Sequence, residues 1–210
     1  MRFSVFFRLI LVFALLLPVA CPAQQTTLAA AQQTILVFGD SLSAAYGIPR
    51  EAGWVSLLQQ ELRRSHPRYQ VANASISGET TTGGLRRFDA ALRQHRPAIV
   101  ILELGANDGL RGAPIADIEA NLSALVQQAR KVDAKVLLLG MQLPPNYGAD
   151  YTSRFKALYP KLAQRYHVAL VPFFLEGVAP DQFLADNLHP AAQAQLHILR
   201  TILQKLAPLL

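Results

Sequence analysis

The chain has 210 residues, 51% apolar and 16% charged, with one cysteine. That suits one domain with a sizeable core, and excludes a disordered chain and any disulfide within it. The net charge of +6 is spread without a Lys/Arg block or aromatic–basic interleaving, which argues against nucleic acid as a partner.

Residues 1–23 open with Arg2 and Arg8, continue into the apolar run LILVFALLLPVA (9–20) and close on small residues. The run is shorter than the roughly 20 residues of a membrane-spanning helix, so no stable transmembrane anchor is expected; its order is that of an export signal. Cleavage after Ala23 leaves a mature chain without cysteine, and with 18 basic against 14 acidic side chains. The rival reading is a lipoprotein signal, in which PVAC leaves Cys21 as a lipidated first residue, although Pro18 stands where such signals usually carry Leu. Either way the protein is expected to be exported, to the periplasm or beyond. Residues 24–33 are a Gln/Thr/Ala-rich leading segment. Residues 34–210 read as a single domain without repeat or linker.

From there apolar runs alternate with amphipathic stretches. TILVF (34–38) predicts a short strand. GWVSLLQQELRRS (53–65) sets Trp54, Leu57, Leu58 and Leu62 at helical spacing. YQVANAS (69–75) is a second strand, and TGGLRRFDAALRQH (82–95) a helix with Leu85, Phe88 and Leu92 on one side. AIVILEL (98–104) is the most apolar strand. IADIEANLSALVQQARK (115–131) is a helix with Pro114 in its first turn, and KVLLLGMQ (135–142) a fourth strand. DYTSRFKALYPKLAQRYH (150–167) is a helix that Pro160 kinks or divides. VALVP (168–172) is a fifth strand, and PAAQAQLHILRTILQKLAPLL (190–210) a closing helix.

Five alternations of strand and helix predict a parallel α/β sheet covered on both faces through right-handed crossovers. Strands as apolar as AIVIL fit a sheet buried on both sides. Ligands of such sheets sit beyond the carboxyl ends of the strands, where the strand order reverses. Strand one ends at GDS with Ser41, strand two at NASISGET with Gly78, strand three at ELGANDG with Asn107. Strand five feeds a long loop ending in ADNLHP, with Asp186 and His189. All stand at one edge, and with the order 2-1-3-4-5 Ser41 lies between Gly78 and Asn107.

These residue types at one edge suit acyl transfer. A serine hydroxyl attacks a carbonyl only when a base takes its proton, and an acid must orient that base. In DNLH the Asp and His are three residues apart, close enough for the carboxylate to reach the ring. The backbone N–H groups of Ser41 and Gly78 and the amide of Asn107 are suitable donors to a developing oxyanion. Each residue alone has a plainer reading. Ser41 can cap a helix, Gly78 can meet a need for positive φ, Asn107 and Asp186 can be turn residues, and His189 a surface histidine. Asp40 reads as a brace for its turn. His66, His95, His167 and His197 show no ligand spacing.

FGDSLS, the glycine of NASISGET, GANDG and DNLHP resemble, in order, the four blocks of the SGNH (GDSL) hydrolase superfamily, over essentially all of residues 34–206. NASISGETT, LELGANDGLRG and LLLGMQLPPNYG are particularly similar to its bacterial periplasmic acyl-CoA thioesterase I, lysophospholipase and arylesterase group. The resemblance implies a three-layer α/β/α flavodoxin-like sandwich and a serine hydrolase of acyl esters and thioesters. It implies Ser41, Asp186 and His189 as triad, and Ser41, Gly78 and Asn107 as oxyanion hole, with no metal and no cofactor. Asn187 departs from it, since many relatives carry Gly there. Leu110, Arg111, Pro144 and Tyr147 are candidate contacts for the acyl group. The expected partner is a small acyl ester or thioester, lysophospholipid included, and the protein is read as a monomer. The alternatives are a carbohydrate O-acetylesterase or lipase-like carboxylesterase of the same superfamily, or a non-catalytic ligand-binding protein. A nucleotide binder would carry G-x-G-x-x-G or a Walker loop after strand one, and GDSLSAAYG is neither.

Overall fold

A computed structural model describes residues 32–210; the expected export signal, the expected cleavage after Ala23 and Cys21 lie outside them. Apolar runs form five strands, β1 (Gln33–Gly39), β2 (Tyr69–Asn73), β3 (Ile99–Glu103), β4 (Lys135–Leu139) and β5 (Ala169–Val171). They make one parallel sheet in the order β2-β1-β3-β4-β5, as the alternation predicts. From Ile35 to Phe38, and throughout β3, every residue is buried, because helices cover both faces. On one face α1 (Trp54–Ser65) packs against α6 (Gln195–Leu206). On the other, α2 (Thr81–His95), α4 (Ile115–Lys131) and α5 (Ala149–Tyr166) pack in series. Each buried Leu, Ile or Phe of this core contributes about 1.5–3 kcal/mol of transfer free energy.

Three expectations need correction. A short helix, α3 (Ala106–Leu110), stands where GANDG reads as a turn. It is tied down at long range: Asp108 accepts hydrogen bonds from the backbone N–H (2.8 Å) and hydroxyl (2.6 Å) of Thr81 at the start of α2. Pro160 does not divide α5, which runs through it. Pro160 and Lys156 are exposed, so the carbonyl that loses its helical donor can meet water. The closing helix begins at Gln195 rather than Pro190 and ends at Leu206, with single 3-10 turns at Ala192–Ala194 and Ala207–Leu209. Pro190 instead forms an antiparallel bridge with Phe183, folding the preceding loop back on itself.

Among the described residues no helix is long and apolar enough to cross a membrane.

Candidate active site

The switch point of the sheet lies beside β1, which ends in Asp40 and Ser41. No helix follows: residues 41–47 make turns, with Ala45 (φ 61°) and Gly47 (φ 72°) in the left-handed region. Ser41 therefore caps no helix. Its Oγ lies 2.8 Å from His189 Nε2, and His189 Nδ1 lies 2.7 Å from Asp186 Oδ2.

Asp186 and His189 sit in a tight local fold. Asp186 Oδ1 accepts from the N–H groups of Leu188 (2.9 Å) and His189 (3.0 Å). Leu184 N–H donates to the His189 carbonyl, and Asn187 N–H to the Leu184 carbonyl. Asn187 has φ 56°, a left-handed conformation that Asn tolerates better than most side chains and that Gly adopts freely. Burial raises the Asp186 carboxyl, but the hydrogen bonds from His189 and Leu188 outweigh it and bring it down to about 2. Asp186 is thus anionic near neutral pH. The Tyr46 ring lies against the His189 ring, centroids 4.5 Å apart.

Two further strand ends complete the edge. Gly78 has φ 78°, and a Cβ there would meet nothing within 4 Å; its glycine serves conformation, not space. Among the described residues, neither the Ser41 nor the Gly78 N–H donates a hydrogen bond within the protein. Asn107, in the first turn of α3, donates from Nδ2 to Asp40 Oδ2 (3.1 Å) and to the Glu79 carbonyl (3.0 Å). Asp40 also accepts from Leu42 N–H at 3.0 Å. Burial raises its carboxyl to about 6 against these bonds, the Glu103 side chain and the charge of His189.

Ser41, Gly78, Asn107 and His189 open onto a cavity of about 450 Å³, within the range of small-molecule sites. Its walls are mostly apolar, from Met141 and Leu143 after β4, Phe173 and Leu175 after β5, and Leu188 beside His189, with Ser77, Gln142 and Asn187 among the polar residues on it. Leu110 and Pro144 line it as well. Arg111 and Tyr147, expected as contacts, do not line it: Arg111 is exposed and its Nη2 donates to the Gly78 carbonyl (3.3 Å), while the Tyr147 hydroxyl donates to the Leu110 carbonyl (3.0 Å). Sequence reasoning missed Tyr46, Met141, Phe173 and Leu175. The strand-end rule that found Ser41 points equally at Met141 and Phe173; nothing in the sequence marks Tyr46. The other histidines stand apart: His66 and His167 cap helices, His95 ends α2, and His197 bonds the Glu176 carbonyl.

The GDSL-like lipase/acylhydrolase family matches residues 37–195, a span that holds Ser41, Gly78, Asn107, Asp186 and His189. The chain belongs to that family. It is 51% identical to Esterase TesA of Pseudomonas aeruginosa over 183 residues, 86% of this chain and 91% of the relative. It is 43% identical to thioesterase 1/protease 1/lysophospholipase L1 of Escherichia coli K12, over 86% of each chain. The crystal structure of TesA superposes with a TM-score of 0.83 at 50% identity, covering 85% of this chain and all of that one. The SGNH resemblance, the α/β sandwich and the expectation of a serine ester hydrolase are borne out together.

Proposed function

We propose that this esterase works through an acyl-enzyme on Ser41, and that its substrates are esters and thioesters of apolar acyl chains. The observation that carries this is the continuous Ser41–His189–Asp186 hydrogen-bond relay at the mouth of an apolar cavity. As Ser41 Oγ attacks the carbonyl carbon, His189 Nε2 takes its proton, while anionic Asp186 fixes the ring and stabilises the imidazolium. The Ser41 and Gly78 N–H groups and the Asn107 amide receive the oxyanion. The tetrahedral intermediate collapses as His189 returns the proton to the leaving alcohol or thiol. Water, deprotonated by His189, then attacks the acyl-enzyme, and the second collapse restores Ser41 with its proton and releases the acid.

Leu110, Met141, Leu143, Phe173 and Leu175 favour an acyl chain over a sugar acetate, since a sugar's hydroxyls would find few partners there. Lysophospholipids fit this reading, and so does the relative named for lysophospholipase activity. Export through residues 1–23 would take the enzyme away from cytosolic acyl-CoA, leaving membrane lipids and external esters as its natural substrates.

The test is hydrolysis of p-nitrophenyl esters from acetyl to palmitoyl by residues 24–210, beside the Ser41→Ala variant. Activity rising with chain length past butyrate, and lost in the variant by a factor of about 10⁴ or more, is the expected result. A strict acetyl preference would overturn the acyl-chain assignment, and retained activity in Ser41→Ala would overturn the acyl-enzyme.

A further inference from the structure

Two buried acids beside Ser41 take no part in the relay. Asp40 and Glu103 are both fully shielded from solvent. Glu103 ends β3 and pairs in register with Gly39 of β1. Its Oε2 accepts from Asp40 N–H at 3.1 Å and from the Ser43 hydroxyl at 2.7 Å, whereas its buried Oε1 has no donor. The Asp40 and Glu103 carboxyls are neighbours, and each acts on the other's titration. The room for this arrangement comes from Gly39: a Cβ there would come within 2.5 Å of Glu103 Oε2 and 2.8 Å of Ser43 Oγ. The glycine of the GDS segment is thus kept bare by an acid from the neighbouring strand. Its φ is not positive, so backbone freedom does not explain it.

We propose that Glu103 is a positioning residue for ester hydrolysis: its carboxyl holds Asp40, and Asp40 Oδ2 holds the Asn107 amide where it donates to the oxyanion. This rests on the reading of Asn107 as an oxyanion donor. Two adjacent buried carboxyls cannot both stay ionised. Asp40 already accepts from Leu42 and Asn107, whereas Glu103 Oε1 accepts from no donor, which places the shared proton on Glu103; burial first, then the charge of Asp40, pushes its carboxyl well above the usual carboxylate range in the same sense. A protonated Glu103 donates to Asp40 and leaves it an anion that accepts from Leu42 and Asn107. Without that donor Asp40 protonates more readily, and an oxygen that carries a proton releases Asn107. The titratable groups facing the pair are His189, which acts on Asp40 through its charge, and the Tyr159 phenol of α5. The Tyr159 hydroxyl is committed to the Leu104 carbonyl at 3.1 Å.

The experiment is a double-mutant cycle with Glu103→Met, Asn107→Ala and both together, reading kcat and KM separately on the best p-nitrophenyl ester. Circular dichroism checks the fold of each variant. Glu103→Met should lower kcat by about 10-fold or more with KM within about 2-fold, since misaiming an oxyanion donor acts on the transition state. In the Asn107→Ala background the same change should alter kcat by less than about 2-fold, because the two act as one unit. Equal losses in both backgrounds, or a loss confined to KM, would overturn the proposal. Wild-type kcat in Asn107→Ala alone would show that the oxyanion reading itself is wrong. If Glu103→Met does not fold, Glu103→Gln carries the test, since its amide still donates to Asp40. At pH 7 the infrared carbonyl stretch of an un-ionised carboxyl should be present in the wild type and absent in Glu103→Gln, with kcat within about 3-fold of wild type. Absence of that band from the wild type, or a kcat loss in Glu103→Gln as large as that of Asn107→Ala, would overturn the proposal as well.

Discussion

The two halves of the site are held by different means. Ser41 and Asn107 hang from the ends of β1 and β3, over acids shielded entirely from solvent and partnered across 60 or more residues of sequence. Asp186 and His189 ride on a loop, the Asp186 side chain 38% exposed, and their hydrogen bonds to each other close within three residues. The proposed nucleophile Ser41 and oxyanion donor Asn107 are therefore placed by the packing of the whole sheet, the proposed base and its partner by a few local bonds. A change in the first half should disturb fold and catalysis together. A change in the second should be felt in catalysis alone.

The sharpest test of that contrast is Asp186→Asn. Asn can still accept from the Leu188 and His189 N–H groups, so the turn survives, but the anion that selects the His189 tautomer is gone. The expected loss is roughly 10⁴-fold in kcat, with thermal unfolding unchanged within about 2 °C. A large fall in melting temperature would show that the loop is not locally held. Next comes Asn107→Ala, expected to lose about 10²–10³ in kcat; a well-folded variant with near wild-type turnover would remove Asn107 from the oxyanion hole. Gly39→Ala probes the buried half, forcing a Cβ against Glu103 and Ser43, and should destabilise by about 1–3 kcal/mol in urea unfolding. Unchanged stability there would mean that the strand ends are loosely packed. The smallest effect is Asn187→Gly, which relieves the left-handed residue of the loop but loosens the unfolded chain. These terms oppose, so stability should shift by less than about 1 kcal/mol with kcat unchanged, and a larger fall in either would show that the Asn187 side chain has a role of its own.

How legible each half was follows from the same difference. DNLHP could be read as a unit because its geometry is local: Asp, three positions, His. The five strands were legible because burial on both faces leaves continuous apolar runs, and their ends located Ser41, Gly78 and Asn107 on one edge. What the sequence hid depends on distant partners. GANDG reads as a turn by composition, and α3 is held there by distant partners, Thr81 on Asp108 and Asp40 and Glu79 on Asn107. Pro190 reads as a helix start, and only its bridge to Phe183 delays α6. Glu103 interrupts an apolar run, a signal that was present in the sequence, but its meaning needs the strand beside it. The cavity walls from Met141, Phe173 and Leu175 follow from which loops converge, and no spacing within one segment reports that.

The Asn107 amide has no idle proton. One goes to Asp40 and the other to the Glu79 carbonyl, so an arriving substrate must compete for the second. A neutral ester carbonyl is a weaker acceptor than the backbone amide carbonyl it would displace, and gains nothing by the exchange. A full negative charge on the same oxygen is a much stronger acceptor and wins it outright. In the proposed mechanism the self-occupied donor would therefore act as a filter on charge, nearly silent towards the bound ester and responding only as the tetrahedral species forms. That is the condition under which an interaction raises turnover without tightening the ground state.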